Sequence, residues 1–219
     1  MIPFNTVHMI KLADFTQDEL DEWLSAEHLA GSPTGRSYRS AQISQWLGRG
    51  VQSFDEMTNL PRELRAELSL RAITGIPEIV AEARSRRDGT VKYGMKLSDG
   101  CIVETVLMRY RHGYAVCVSS QAGCRMGCTF CATKPQNFSR NLSSGEMFGQ
   151  VTAVARRQAA DGMTGDGYSA DKKKQRIRIG NIVVMGIGDP FDNYENTLKF
   201  IRLLHSNDET SISYRKFTI

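Results

Sequence analysis

Three cysteines stand close together in the middle of the 219-residue chain, at Cys124, Cys128 and Cys131. Thiolates at this spacing can wrap one loop around a 4Fe-4S cubane and ligate three of its four irons. The fourth iron then has no protein ligand, so the amino and carboxylate groups of S-adenosylmethionine (SAM) can chelate it. One electron from the cluster can then cleave a C–S bond of SAM to give methionine and a 5′-deoxyadenosyl radical.

A structural zinc site is the main alternative for these cysteines. Zinc takes four ligands, usually as two Cys-x2-Cys pairs or with histidines at fixed spacing. Here a single Cys-x3-Cys-x2-Cys stands without a second pair, and His112 is the only histidine nearby in the sequence. The spacing therefore favours an iron–sulfur cluster.

A second motif follows the cysteines, where an apolar run from Ile182 ends in Gly186-Ile187-Gly188-Asp189-Pro190. At the carboxyl end of a parallel strand, small residues let a ligand lie against the backbone. Asp189 could accept a hydrogen bond from the ammonium group of SAM. Taken alone, the turn is better explained as a strand-to-helix connection. Its position one β/α unit after the cysteines favours a role in ligand binding.

The elements that must position these residues divide into three predicted segments. Residues 1–75 read as a small helical domain with a self-contained core, residues 76–116 as a short antiparallel β meander, and residues 117–219 as an incomplete β/α layer. Thr16 and Glu19 predict a capping box at the start of the first helix. Within the meander, Gly supplies the positive φ of the hairpin turns predicted at Asp88-Gly89, Asp99-Gly100 and His112-Gly113.

The later segment predicts alternating helices and strands. A capped helix runs from Ser143 to about residue 160, and a buried parallel strand runs from Ile179 to Met185. The next helix is predicted with Leu198, Ile201, Leu204 and His205, and the chain is expected to end in a strand over residues 212–219.

Composition indicates an ordinary soluble cytoplasmic protein, 41% hydrophobic and 24% charged, without an apolar run long enough to span a bilayer or a secretory signal. Residues 1–75 contain 7 Lys or Arg against 10 Asp or Glu, while residues 76–219 contain 21 against 14. The basic surplus of the later segment suits a polyanionic partner such as RNA.

The sequence resembles the radical SAM adenine-C2 methyltransferases of RNA, the RlmN/Cfr-like group. The resemblance is carried by VCVSSQAGCRMGCTFCATKPQNFSRNLSSGE around the cysteines, by CIVETV and MGIGDPFDNYENT on either side, and by SYRSAQISQWL in the helical segment. It implies an α/β fold, with a partial radical SAM (β/α) barrel over residues 117–219. The barrel would be preceded by a small helical accessory domain of RNA-binding type over residues 1–75 and by a short antiparallel β meander over residues 76–116.

The resemblance also implies roles for single residues. Cys124, Cys128 and Cys131 would hold the 4Fe-4S cluster, and Gly188 and Asp189 would contact SAM. Glu104 would be a proton acceptor, and Cys117 would resolve a covalent protein–RNA adduct. From the residues alone, Glu104 is better explained as an exposed strand residue and Cys117 as a small buried one; Cys101 has no family role and reads as structural.

The reaction implied is methylation of C2 of an adenosine in 23S ribosomal RNA, with transfer RNA as a second substrate. An electron donor such as a flavodoxin would reduce the cluster, and no membrane partner is expected. A different radical SAM enzyme and a non-catalytic iron–sulfur RNA-binding remnant are the alternatives.

Two features depart from the family pattern. The turn usually reads Gly-Glu-Pro, and here it is Gly188-Asp189-Pro190, which shortens the carboxylate arm by one methylene. No cysteine follows Cys131 before the last residue, Ile219, so the methyl-carrying cysteine of the family is missing from the sequence. We therefore expect a truncated chain that cannot complete the methyl transfer by itself.

Overall fold

The computed structural model describes residues 9–29, 38–111, 113–133, 137–161 and 179–219. Within these ranges the helices are α1 (Gln17–Ala26), α2 (Tyr38–Gly48), α3 (Arg62–Arg71), α4 (Ser144–Ala160) and α5 (Tyr194–Ser206). The capping box predicted for α1 is confirmed, since Thr16 Oγ1 accepts from Glu19 N at 3.3 Å and Glu19 Oε2 accepts from Thr16 N at 2.7 Å. Helix α1 buries Leu20 and Leu24 on its inner face.

The strands of the described residues are β1 (Ile10–Lys11), β2 (Ala72–Ile73), β3 (Glu78–Arg84), β4 (Val91–Lys96), β5 (Ile102–Tyr110), β6 (Gly113–Cys117), β7 (Gln121–Ala122), β8 (Arg140–Asn141), β9 (Ile179–Val183) and β10 (Phe217–Thr218). The main sheet has the order β10-β9-β6-β5-β4-β3. Strands β3 to β6 are antiparallel, whereas β6, β9 and β10 pair in parallel. The mixed sheet therefore joins the predicted meander to the first parallel strands of a β/α layer.

The two faces of the sheet have different surroundings. On β5, Val103, Thr105 and Leu107 are buried, and Thr105 donates a hydrogen bond to a side chain of α4. Successive strand residues point to opposite faces, so Glu104 lies on the face turned away from α4. Cys117 pairs with Val106, two residues along β5 from Glu104, and so shares that face.

Helix α4 lies between the sheet and the amino-terminal helices. Its first turn packs directly on the 3₁₀ turn Leu12–Asp14. A Cβ on Gly145 would lie 2.5 Å from Asp14 N, so this close approach requires glycine. Asp14 Oδ1 accepts from Gly145 N at 2.6 Å and satisfies one of the free N–H groups at the start of the helix.

The buried apolar residues of the amino-terminal helices, of α4 and α5 and of the sheet form one continuous core. The expectation of a self-contained helical core is therefore wrong. Helix α4 is the reason, because its side chains are buried on nearly every side along most of its length. The boundaries at residues 75 and 116 stay predictions.

Three predicted elements differ from the structure. The strand predicted from Ile179 to Met185 ends at Val183, and of its five residues only Ile182 is buried. Helix α5 buries Leu204 together with Phe200 and Leu203, while Ile201 is partly buried against the core; Phe200 packs edge-on to Phe217 at 6.2 Å between centroids. The last strand covers only Phe217–Thr218, because Ser211 has a φ of 42° and a 3₁₀ turn follows before β10.

Across the ranges that the structure covers, none of the helices combines the length and the apolar character needed to cross a membrane.

Candidate functional site

The predicted cluster cysteines lie on a loop that leaves β7 and returns at β8. These two short strands pair with each other, Gln121 opposite Asn141 and Ala122 opposite Arg140. Ser139 N donates to Ala122 O at 2.7 Å and extends the pairing by one bond. The loop is therefore fixed at its base.

The three thiols lie at or near the surface of this loop. Cys124 and Cys131 are half-buried and Cys128 is exposed, and none of them is in a disulfide. Cys131 N donates to Cys128 O at 3.2 Å, so Cys-x2-Cys forms a turn. Phe130, between these two cysteines, is 91% exposed.

The donor set fits an iron–sulfur cluster better than zinc. One loop supplies three thiols, which is the number that a cubane with one open iron requires. In the described part of the chain, no three Cys, His, Asp or Glu side chains are near enough to one another to hold a metal ion. The thiols are thus present in the right kind and number on a loop that is fixed at its base, but they are not grouped around a common point.

The glycine-rich turn after β9 lies against the start of this loop. Beyond the ends of β6 and β9 the two segments continue to pair: Gly186 N donates to Val118 O at 3.0 Å, and Ser120 N donates to Ile187 O at 2.9 Å. Gly188 has a φ of 107°, and a Cβ there would lie 2.5 Å from Gln121 Cβ. Only glycine fits at this position.

Gln121 is the centre of a polar network between the turn and the loop. Its Oε1 accepts from Asp189 N at 3.0 Å, and its Nε2 donates to Asn141 Oδ1 at 2.7 Å and to Asp192 Oδ2 at 2.8 Å. Arg125, next to Cys124, donates through Nε to the same Asp192 Oδ2 at 2.8 Å. The cysteine loop and the turn are therefore held together by side chains as well as by backbone.

The carboxylate of Asp189 shapes its own turn. Oδ1 accepts from Phe191 N at 2.8 Å and from Asp192 N at 3.4 Å. This is the arrangement expected of an aspartate that stabilises a strand-to-helix connection. Contact of Gly188 and Asp189 with SAM stays a prediction.

Glu104 and Cys117 occupy the sheet face opposite α4. Glu104 Oε1 pairs with Lys92 Nζ at 2.5 Å, and both side chains are about half exposed. Burial raises the pKa of the Cys117 thiol above its usual value, although a backbone hydrogen bond from Met185 opposes this. The two residues are diagonal neighbours on adjacent strands, with Cα atoms roughly 7–8 Å apart. Their predicted roles toward RNA stay untested predictions.

A buried glutamine supports the site from behind. Gln150 of α4 is fully buried; its Oε1 accepts from Thr105 Oγ1 at 2.8 Å and from Ser119 N at 2.9 Å, and its Nε2 donates to Ser119 O at 3.0 Å. Ser119 Oγ in turn accepts from Ile187 N at 3.0 Å. The end of β6 and the glycine-rich turn are therefore anchored to α4.

A buried carboxylate supports the return of the cysteine loop. Glu146 is 2% exposed and accepts from Arg140 Nη1 at 2.7 Å, from Arg140 Nη2 at 2.9 Å and from Lys11 Nζ at 2.5 Å. Arg140 also donates through Nε to Asp99 Oδ2 at 2.7 Å. Burial opposes ionisation of Glu146, but Arg140 and Lys11 together hold its pKa below the ordinary value.

Sequence reasoning missed these supporting residues. Gln150 could have been found, because its helical neighbours Met147, Ala153 and Val154 are apolar. Arg125 and Asp192 gave no signal, since 67 residues separate them and only the tertiary structure brings them together.

The sequence of this chain is similar to those of known proteins. Residues 10–74 match the sequence model of the ribosomal RNA large subunit methyltransferase N-terminal domain. The chain is 43% identical over 185 residues to a probable dual-specificity RNA methyltransferase RlmN of Lachnoclostridium phytofermentans, which covers 84% of this chain and 47% of that protein. The corresponding protein of Geobacillus thermodenitrificans is 38% identical over 221 residues, covering 100% of this chain and 53% of that protein.

A solved structure is similar to this chain in fold as well as in sequence. A radical SAM methyltransferase from Sphaerobacter thermophilus superposes with a TM-score of 0.79 at 38% identity, covering 95% of this chain and 55% of that one. The chain spans about half the length of the curated relatives that it matches. The fold is accordingly a partial radical SAM α/β fold, and the chain belongs to the RlmN-like family of radical SAM methyltransferases.

Proposed function

We propose that the chain binds a 4Fe-4S cluster through Cys124, Cys128 and Cys131 and binds SAM at the turn formed by Gly188 and Asp189. The observation that carries this proposal is the direct pairing of the cysteine loop with the glycine-rich turn beyond β6 and β9. In parallel α/β sheets, ligands bind at the carboxyl ends of the strands, which is where both segments lie.

The chain's own residues have distinct tasks in this proposal. The three thiols must be deprotonated to ligate iron, and their loop must draw them together over its fixed base. The Gly188 turn leaves the backbone open for SAM, and the Asp189 carboxylate accepts from its ammonium group. When bound, the cluster supplies the electron that cleaves SAM.

The reaction that we propose for the enzyme is methylation of C2 of an adenosine in large-subunit ribosomal RNA, with transfer RNA as a second substrate. The names of the relatives, dual-specificity RNA methyltransferases, support an RNA substrate. Glu104 would accept a proton and Cys117 would resolve the protein–RNA adduct. Their position on one face of the sheet, with Cys117 ending the strand that leads to the cysteine loop, supports these roles.

The first experiment tests the cluster. Anaerobic reconstitution should load about four irons per chain, and changing any one of the three cysteines to Ala should abolish the iron–sulfur absorption. Cys101→Ala is the matched control, because Cys101 lies at the β4–β5 turn and should leave the iron content unchanged. Stoichiometric zinc without iron would contradict the proposal.

A second experiment separates the two roles open to Asp189. Asp189→Asn keeps an oxygen that can accept from Phe191 N but removes the charge. If the carboxylate holds the SAM ammonium group, SAM should bind about 10- to 150-fold more weakly in equilibrium dialysis, the range for a hydrogen bond to a charged group. Asp189→Glu should retain binding. Equal affinity of the Asn variant and the parent chain would assign Asp189 to the turn alone.

A third experiment tests the RNA substrate. A polypeptide spanning the full length of the curated relatives should be incubated with reductant, SAM and either a large-subunit ribosomal RNA fragment or a transfer RNA. Mass spectrometry of the digested nucleosides should show methylation at C2 of adenosine. Methylation of neither RNA by protein that cleaves SAM would favour a different radical SAM substrate.

A further inference from the structure

A group of arginines occupies the end of the main sheet opposite the cysteine loop. We call this group the arginine rim, and it consists of Arg86, Arg87, Arg109 and Arg111. Two of the four lie in the turn between β3 and β4, and the others lie at the end of β5 and just beyond it. All four side chains are exposed.

The arginine rim gathers arginines that have no carboxylate partner among the described residues. Seven arginines elsewhere in the described ranges pair with carboxylates: Arg49, Arg71, Arg84, Arg125, Arg140, Arg156 and Arg157. Arg62, Arg202 and Arg215 are exposed without such a pair as well, but the rim is distinguished because three of its arginines line one depression. No ion pair joins an arginine of the rim to any residue that the structure describes. The rim therefore keeps its positive charge available to a partner.

A surface depression of about 570 Å³ lies among these side chains, lined by Arg87, Arg109 and Arg111 together with Tyr110 and Tyr114. Tyr110 is 48% exposed. Proteins that bind single-stranded nucleic acid place cationic side chains along its phosphate backbone and an aromatic ring where a base can stack.

Asp88 is the acidic residue of this depression, and it is engaged in its own turn. Its Oδ1 accepts from Thr90 N at 3.0 Å. Hydrogen bonds from Ser85 and Thr90 hold the pKa of the Asp88 carboxyl below its usual value. The carboxylate therefore stabilises the β3–β4 hairpin and leaves the guanidinium groups unpaired.

We propose that the arginine rim binds the phosphate backbone of a single-stranded part of the substrate RNA, with one base stacked on Tyr110. This inference rests on the proposed function, which makes RNA the substrate. Strand β6 separates the rim from the cysteine loop, and its five residues span about 16 Å. The rim is thus a second contact that anchors the RNA away from the reacting adenine.

The test measures binding of a fluorescently labelled single-stranded RNA of mixed sequence to the chain by anisotropy, over a range of salt concentrations. The double variant Arg109→Gln/Arg111→Gln should reduce the slope of log K against log salt by about 1.4, since each phosphate contact to a single strand contributes roughly 0.7. If the variant and the parent chain bind equally at 1 M salt, this change in slope makes the variant bind about 25-fold more weakly at 0.1 M salt.

The matched control is Arg202→Gln/Arg215→Gln, which removes the same charge from exposed positions away from the rim. This control should keep most of the parent's affinity and slope. An equal loss in both double variants would show that net charge and not the rim binds RNA, and would overturn the proposal while leaving the proposed function intact.

Tyr110→Leu distinguishes RNA from other polyanions. It should weaken RNA binding by about five-fold or more, because stacking on an aromatic ring is lost, and should leave heparin binding unchanged. Equal effects on RNA and heparin would identify a general polyanion site and overturn the assignment to RNA. If the parent chain bound no RNA at all, the rim proposal would fail, while the methylation experiment with the longer polypeptide would still test the RNA substrate, and iron and SAM binding would still test the cluster.

Discussion

Glu146 offers the sharpest test of how the site is supported. Glu146→Gln keeps the size of the side chain but removes its negative charge. Arg140 and Lys11 then lose a shared carboxylate that is 2% exposed. Removing one partner of a buried ion pair costs about 3–5 kcal/mol.

The expected cost here is somewhat smaller. Arg140 keeps Asp99 as a partner, and the Arg140 and Lys11 side chains are 30% and 23% exposed, so water partly compensates both cations. The glutamine oxygen can also still accept one hydrogen bond. We therefore expect a loss of about 2–3 kcal/mol in the free energy of unfolding at neutral pH.

The pH dependence gives an independent check. The pKa of Glu146 in the folded chain lies below its ordinary value of 4.5, so its contribution is complete above pH 4.5 and is lost as the pH falls through the folded pKa. The parent chain and the Gln variant should therefore differ most at neutral pH and converge in acid.

The assay is urea denaturation followed by circular dichroism, at neutral pH and at a series of acidic pH values. Glu22→Gln is the control, because Glu22 is exposed on α1 and should change stability by less than about 0.5 kcal/mol. The buried ion pair would be refuted as a source of stability by either of two results. One is that Glu146→Gln lowers the free energy of unfolding no more than Glu22→Gln does. The other is that the difference in stability between the parent chain and Glu146→Gln grows as the pH falls.

Three further predictions concern single side chains and can be checked by the same denaturation. Gln150→Leu should cost about 2–4 kcal/mol, because it leaves buried Ser119 groups without partners; a cost near zero would mean that water replaces the amide. Gly188→Ala should cost about 1–3 kcal/mol through its φ of 107° and its approach to Gln121, whereas Gly180→Ala, with its nearest contact at 3.7 Å, should be tolerated. Burial raises the pKa of Tyr93 to about 12, so the stability that its neutral hydroxyl provides should be lost between about pH 10 and 12. The Tyr93→Phe variant should not show this loss of stability in alkali. Absorbance showing that every tyrosine ionises near pH 10 would contradict the raised pKa.

Local sequence was enough to predict much of the architecture. The capping boxes at Thr16 and Ser143 depend on residues three apart, so α1 and α4 start where the sequence places them. The turns at Asp88-Gly89 and Asp99-Gly100 likewise separate antiparallel strands, since glycine takes the positive φ that such turns need. The predicted His112-Gly113 turn includes His112, which lies outside the described residues.

The sequence alone also determined which residues are candidates for chemistry. The spacing of Cys124, Cys128 and Cys131 restricts them to one loop, and the apolar run before Gly188 places that turn at the end of a strand. Both conclusions depend on short stretches of chain. For the same reason, neither could establish that the two segments are neighbours.

Only the tertiary structure decided how the site is held together. The contacts of Gln121 with Asp189 and Asp192 span 68 and 71 residues, and the contact of Lys11 with Glu146 spans 135. Such pairings depend on which elements pack together, and one sequence carries no local pattern that encodes contacts between residues so far apart along the chain.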